Sequence, residues 1–81
     1  MKLPRDVSGA QLAKALASLG YRVSRQTGSH IRLTCVQPTQ HHVTIPNHDD
    51  LRVGTLAAIL ADVGTHHGLS RETLVEKLFG R

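Results

Sequence analysis

The chain has 81 residues, of which 10 are Lys or Arg, 6 are Asp or Glu and 6 are His, giving a formal charge of +4. Hydrophobic residues make up 40% of it and are nearly all aliphatic, with one Tyr, one Phe, no Trp and one Cys. This length supports a single domain over residues 1–81 with one thin core; a lone cysteine excludes an internal disulfide, no apolar run approaches the ~20 residues of a membrane span, and the cationic excess favours a polyanionic partner.

Met1 to Val7 reads as a short extended lead-in without the apolar stretch of a signal peptide, which, with the missing disulfide, points to the cytoplasm. Ser8 has the character of an N-cap, and Gln11 three residues later completes a capping box. Leu12, Ala15, Leu16 and Leu19 follow at helical spacing and Gly20 occupies a C′ position, so a helix is predicted over Gly9–Leu19. Three short strands come next. Tyr21–Gln26 alternates, with Tyr21 and Val23 expected inward and Arg22, Ser24 and Gln26 outward. Thr27-Gly28-Ser29 makes a turn. His30–Cys35 alternates again, with Ile31, Leu33 and Cys35 inward and His30, Arg32 and Thr34 outward; Cys35 is read as a small apolar core residue. A loop holding Pro38 leads to His41–Ile45, with Val43 and Ile45 inward, and Pro46 closes the strand.

The pairing of the second hairpin follows from burial. Setting Leu33 opposite Val43 also sets Ile31 opposite Ile45 and His30 opposite Pro46, whereas a one-residue slip would bury Arg32 and His42. His48 then falls close to His30. Leu56, Ile59, Leu60, Val63 and His67 share one face of a second helix, predicted over Gly54–His67, with Gly64 as a weak point, Gly68 at C′ and Leu69 as its hydrophobic partner. Ser70 caps a third helix, whose apolar side is Leu74, Val75, Leu78 and Phe79. The order α-β-β-β-α-α describes an α+β fold, with a three-stranded antiparallel sheet covered by helices on one face. The other face is predicted to be open, polar and basic. It carries Arg22, Ser24, Gln26, His30, Arg32, Thr34, His42 and Thr44, with no aromatic to stack on bases, so contacts to phosphate and ribose are favoured over base stacking.

Gly20-Tyr21-Arg22-Val23 followed by Arg25-Gln26-Thr27-Gly28-Ser29-His30 resembles the core motif of the HicA family of bacterial mRNA-interferase toxins. Val43-Thr44-Ile45-Pro46-Asn47-His48, then Gly54-Thr55-Leu56 with Ile59-Leu60, resemble later blocks of the same family in the same order, and the opening Leu3-Pro4 with Ser8-Gly9 also fits. The similarity runs from Leu3 to Val63. It implies a fold like that of the double-stranded-RNA-binding domain, α-β-β-β-α, here with an extra C-terminal helix. It further implies metal-independent cleavage of RNA by the histidine matching His30, and a HicB-type antitoxin that covers this residue. No cofactor is implied.

His30 also has physical arguments in its favour. RNA carries its own nucleophile, the 2′-hydroxyl, so a protein has only to move a proton and stabilise charge at phosphorus. An imidazole with an ordinary pKa of about 6.5 suits that work. At the head of a strand after a glycine turn, the ring projects from a rigid element while the backbone N–H groups of Gly28 and Ser29 can face a phosphate. Arg25 and Arg32 are candidates to offset the charge of the transition state, Arg22 is a further RNA-binding candidate, and Lys14 and Arg5 are candidates to extend the track. His48 is either a complementary acid or phosphate contact, or a loop histidine bonded to the turn around Asp49-Asp50. From spacing alone His30 reads as an exposed strand histidine, a reading that the family resemblance reverses, and two other functions share the fold: a non-catalytic RNA-binding module, and a domain whose open face chiefly docks an antitoxin.

A metal site is not expected. In His41-His42 the neighbours point to opposite sheet faces and in His66-His67 they lie about 100° apart on a helix, so neither pair chelates one ion readily. Both pairs are read as solvent-facing or helix-end histidines. Ser29 lacks an acidic orienter for a serine nucleophile, and Asp49-Asp50 reads as a solvated loop.

Overall fold

A computed structural model describes residues 3–80, so Met1 and Lys2 of the predicted lead-in lie outside it. Helix α1 spans Gly9–Leu16 and continues as a 3-10 turn over Ala17–Leu19; strands β1 (Arg22–Thr27), β2 (His30–Cys35) and β3 (His41–Pro46) follow, then helices α2 (Val53–His67) and α3 (Arg71–Phe79). The sheet is an antiparallel meander with β2 in the centre. This is the predicted α+β order with the extra C-terminal helix.

Local chemistry sets the helix ends. The Gln11 amide donates to Ser8 Oγ at 3.0 Å and the Ser8 amide to Gln11 Oε1 at 2.8 Å, completing the capping box. Gly20 and Gly68 take the left-handed conformation that ends α1 and α2, with φ of 88° and 67°. Ser70 Oγ accepts the Thr73 amide and starts α3. Gly64 is more than a weak point in α2. It is buried, and a Cβ there would stand 2.8 Å from the Leu69 carbonyl oxygen, so its missing side chain lets the α2–α3 connection fold back onto the helix.

The core lies between one sheet face and the helices. Ile31, Leu33, Cys35, Val43 and Ile45 enter it from the sheet, Leu12 and Leu16 from α1, and Leu56, Leu60 and Val63 from α2. The β2–β3 pairing is the predicted one: Leu33 opposite Val43, Ile31 opposite Ile45 and His30 opposite Pro46.

Strand β1 departs from strict alternation. Val23 pairs with Leu33 but Arg25 pairs with Arg32, so Ser24 is the extra residue of a β-bulge. Beyond the bulge the faces exchange. Arg25 and Thr27 join the open face, while Gln26, expected there, turns to the helix side opposite Ile31. Val23 is directed to the helix side as expected, yet it is 55% exposed. It lines an open groove of about 580 Å³ between β1 and α1, because the small residues Ala10 and Ala13 on α1 and Ala17 in the 3-10 turn do not reach across to the edge strand.

Candidate nucleic-acid interface

The uncovered sheet face holds Arg22, Ser24, Arg25 and Thr27 from β1, His30, Arg32 and Thr34 from β2, and His42 and Thr44 from β3. All are exposed except the half-buried Thr34. No aromatic side chain lies among them. None of the three strands contributes an Asp or Glu. His42, Thr34 and Ser24 form a hydrogen-bonded row across the face, with Thr34 Oγ1 2.8 Å from both His42 Nδ1 and Ser24 Oγ, and the Ser24 hydroxyl donating to the Arg32 carbonyl at 3.2 Å. That row fixes the bulge.

His30 opens the central strand between Thr27 and Pro46. The preceding two-residue turn needs Gly28 at φ 49°, the sign that type II′ hairpin turns demand of their first central residue. Ser29 sits in the turn rather than in the strand, so its hydroxyl reaches 3.3 Å from His30 Nδ1 and orients the ring, and His30 Nε2 makes no hydrogen bond among the described residues. The amides of Gly28 and Ser29 meet no protein acceptor among the described residues. The turn is held from the other side by the Asn47 amide, which donates to the Ser29 carbonyl at 2.6 Å.

Two residues along β2, about 6.6 Å away, Arg32 stands on the same face as His30, with Arg25 directly across from it. Neither arginine has a carboxylate partner among the described residues. Like charges opposed across a strand pair are unfavourable, so the face is left with uncompensated positive charge within side-chain reach of the histidine. Arg22 lies on this face at the edge of β1, opposite Thr34. Lys14 and Arg5 lie off this face. Lys14 projects from α1 into the β1 groove and into a second cavity that it shares with Arg5, Leu78 and Phe79, on the helix side of the sheet.

His48 is exposed, and its ring makes no hydrogen bond among the described residues, the turn around Asp49-Asp50 included. Its backbone is fixed: the carbonyl accepts the Gly9 amide at 2.9 Å, while Asn47 beside it holds the Ser29 turn. Gly9 is a residue that the sequence reading passed over. A Cβ there would collide with the Pro46 carbonyl oxygen, so glycine is what lets α1 abut the segment flanking His30. The Ser8-Gly9 pair, which marks the helix start and fits the family pattern, carries no sign of this close approach by itself.

Of the other histidines, His42 is solvent-facing and His66 and His67 stand at the end of α2, as expected, but His41, His66 and His67 are not fully exposed. His41, His66 and His67 are half-buried and gather around Tyr21 at the opposite end of the sheet; only His42 is fully exposed. The His41 and His66 rings stack with centroids 4.2 Å apart, and the Tyr21 hydroxyl lies 2.7 Å from His41 Nδ1 and 3.1 Å from His67 Nε2. Burial, with Cys35 adding to it, pushes the Tyr21 phenol well above its ordinary range. Desolvation lowers the pKa of His67 below 6.5, and the neighbouring His66 and His41 lower it further.

No described helix is long and apolar enough to cross a membrane. Neither a curated protein nor a solved structure matches the chain. A family model described as the HicA toxin of bacterial toxin-antitoxin matches residues 9–65, well over half of the 81. That match spans α1, the sheet with its Gly28-Ser29-His30 turn, and nearly all of α2, and the chain belongs to the HicA toxin family of bacterial toxin-antitoxin systems.

Proposed function

We propose that this toxin is a metal-independent endoribonuclease that cuts messenger RNA with His30 as its essential proton-transfer group, and that in the cytoplasm it is held inactive by a HicB-type antitoxin covering that residue. The observation that carries the reading is the exposed His30 ring beside two opposed, unpaired arginines on an open sheet face. A ribose-phosphate lying along β2 presents its 2′-hydroxyl to His30 Nε2. The imidazole takes the hydroxyl proton as the 2′-oxygen attacks phosphorus, or returns a proton to the departing 5′-oxygen. The products are a 2′,3′-cyclic phosphate and a free 5′-hydroxyl. Arg25 and Arg32 meet the added negative charge on the non-bridging oxygens, and the amides of Gly28 and Ser29 supply further donors. Arg22 continues the cationic strip along β1. His48, fixed through its backbone next to the Ser29 turn, is the candidate second acid or phosphate contact. Metal independence is supported by the composition of the face itself, since its strands offer no carboxylate to hold a hard cation beside His30.

General acid–base help of this kind is worth about 10²–10⁴-fold. Purified protein incubated with end-labelled RNA in the presence of EDTA is therefore expected to generate new ends, and His30→Ala to lose that activity by at least 10²-fold while remaining folded and still binding RNA. Cleavage that EDTA abolishes, or full cleavage by the alanine variant, overturns the proposal. Binding without new ends in the wild type identifies an RNA-binding module instead, and tight antitoxin binding without RNA affinity identifies a pure interaction domain. His48→Ala, if it leaves the rate unchanged, removes His48 from the mechanism.

A further inference from the structure

The strongest feature that RNA cleavage does not use is the cluster at the far end of β2. Cys35 closes β2, His41 opens β3 directly across from it, and His66 lies in the last turn of α2. Adjacency within each histidine pair had argued against chelation, but the fold joins one member of each pair. One potential ligand atom from each of Cys35, His41 and His66 lies within 4.8 Å of the others, with Cys35 buried and both histidines half-buried. We propose that Cys35, His41 and His66 bind a single divalent ion of the Zn²⁺ class, one that takes mixed thiolate and imidazole ligands.

The hydrogen bonds already set both rings for this task. His66 Nε2 is 3.0 Å from the Thr39 carbonyl, which can only accept, so Nε2 carries the hydrogen and Nδ1 keeps its lone pair. His41 Nε2 is 3.2 Å from the Asp62 carboxylate, which likewise takes the Nε2 hydrogen and leaves Nδ1 as the donor atom. An imidazole whose second nitrogen donates to a carboxylate or carbonyl is the usual arrangement of a metal-bound histidine. The Tyr21 hydroxyl that now faces His41 Nδ1 has a second partner in His67 Nε2, so it can yield that lone pair without being orphaned. The Cys35 thiol lies beside the Tyr21 hydroxyl and makes a long 3.9 Å contact with the Thr39 carbonyl. On loading, its thiol releases one proton to solvent and binds as thiolate.

One adjustment is required. The two imidazole planes are inclined by only 12°, and lone pairs in parallel planes do not meet at one ion. The His66 ring must tip out of the stack. It is half-buried at a helix end and is held on that side by the carbonyl of an exposed loop residue, Thr39. The filled site has three protein ligands and an open fourth position, and it ties the β2–β3 connection to the end of α2. Cys35 stands five residues along the strand from His30, about 17 Å, so the site is separate from the cleavage residues and the proposal does not depend on them.

The test uses the full chain with Co²⁺ and Zn²⁺ as probes. One Co²⁺ per chain is expected to give a near-ultraviolet thiolate-to-cobalt band together with the visible absorption of a four-coordinate ion, and Zn²⁺ to displace it. Zn²⁺ at about a hundredfold above its Kd is expected to raise Tm by about 10 °C or more. Cys35→Ser is expected to abolish the near-ultraviolet band, His66→Gln to weaken binding at least tenfold, and Asp62→Asn to weaken it about 10–100-fold through His41. His42→Gln, on the opposite sheet face, is expected to bind as the wild type does. The absence of a thiolate band in the wild type overturns the proposal without recourse to any variant. So does a band that survives Cys35→Ser, or an affinity indifferent to His66→Gln in a protein whose circular dichroism is native.

Discussion

Arg25 and Arg32 oppose each other across β1 and β2 on a solvent-facing sheet surface, with no carboxylate partner to either among the described residues. Two unit charges about 6 Å apart in a water-like medium repel by about 0.7 kcal/mol, within the ~0.2–1 kcal/mol typical of cross-strand pairs. Arg32→Gln keeps the length of the side chain and its place in the strand but removes one charge. At low ionic strength it is therefore expected to stabilise the protein, raising Tm by roughly 1–8 °C for a domain of this size. The gain should fade as salt is added and the Debye length falls to about 3 Å at 1 M. The same change should impair RNA handling. Loss of a transition-state charge contact costs about 10²–10³-fold in rate, and removal of one phosphate contact should lower the slope of log K against log salt by about 0.7 for a single strand. Thermal melts at low and high salt, paired with salt-dependent RNA titrations, read both effects on one variant. A variant that is less stable at low salt, or one that cleaves RNA at the wild-type rate, refutes the idea that these arginines hold unneutralised charge in readiness for phosphate.

Gly9→Ala pushes a methyl group into the Pro46 carbonyl and is expected to cost about 1–3 kcal/mol in urea unfolding; because Pro46 faces His30 across the ladder, RNA cleavage should fall as well, measured under conditions where the variant remains folded. Gly64→Ala meets the Leu69 carbonyl at 2.8 Å and should cost a similar amount, but with RNA cleavage at the wild-type rate in the folded fraction, since that contact lies between α2 and α3. In metal-free protein, acid should reveal His67, whose pKa in the fold lies below its ordinary 6.5 through burial, with His66 and His41 as further causes. The unfolded chain takes up this proton first as pH falls. The stability contributed by neutral His67 is therefore complete above 6.5 and is lost as pH drops through the lower folded value. Urea midpoints at pH 7.5 and 5 should decline more in the wild type than in His67→Gln, and equal declines would remove His67 as the cause.

Much of this fold can be read in the residues because local rules and burial agree. Ser8 with Gln11, Gly20, Gly68 and Ser70 each carry a capping signature that the structure realises, and the apolar alternation of β2 and β3 admits one register only. Strand β1 was harder to read. Its alternation holds through Val23 and then breaks at Ser24, and nothing in the order Val23-Ser24-Arg25-Gln26 distinguishes a bulged edge strand from a regular one, since neither Arg25 nor Gln26 is apolar enough to declare a face. Period-2 reading thus assigned Gln26 to the open surface and left Arg25 off it. The bulge reverses both, and in doing so it sets Arg25 opposite Arg32.

The histidines at the other end of β2 were illegible for a different reason. Neighbours in sequence diverge on a strand and on a helix, and that argument is sound for His41-His42 and for His66-His67 taken separately. It says nothing about contacts between residues separated by some 25 positions, which depend on where α2 ends over the sheet. Because α2 runs unbroken to His67, its last turn overlies the start of β3, and His66 stacks on His41. A helix one turn shorter would leave His41 with Tyr21 and Asp62 but without the stacked His66. Helix length, set by the Gly68 stop, therefore decides whether this end of β2 holds isolated histidines or a cluster, while the Gly28 turn at the other end decides how His30 is presented. Both ends of the central strand thus depend on a glycine with positive φ, one in a turn and one in a helix stop, and neither glycine is among the groups it brings into position.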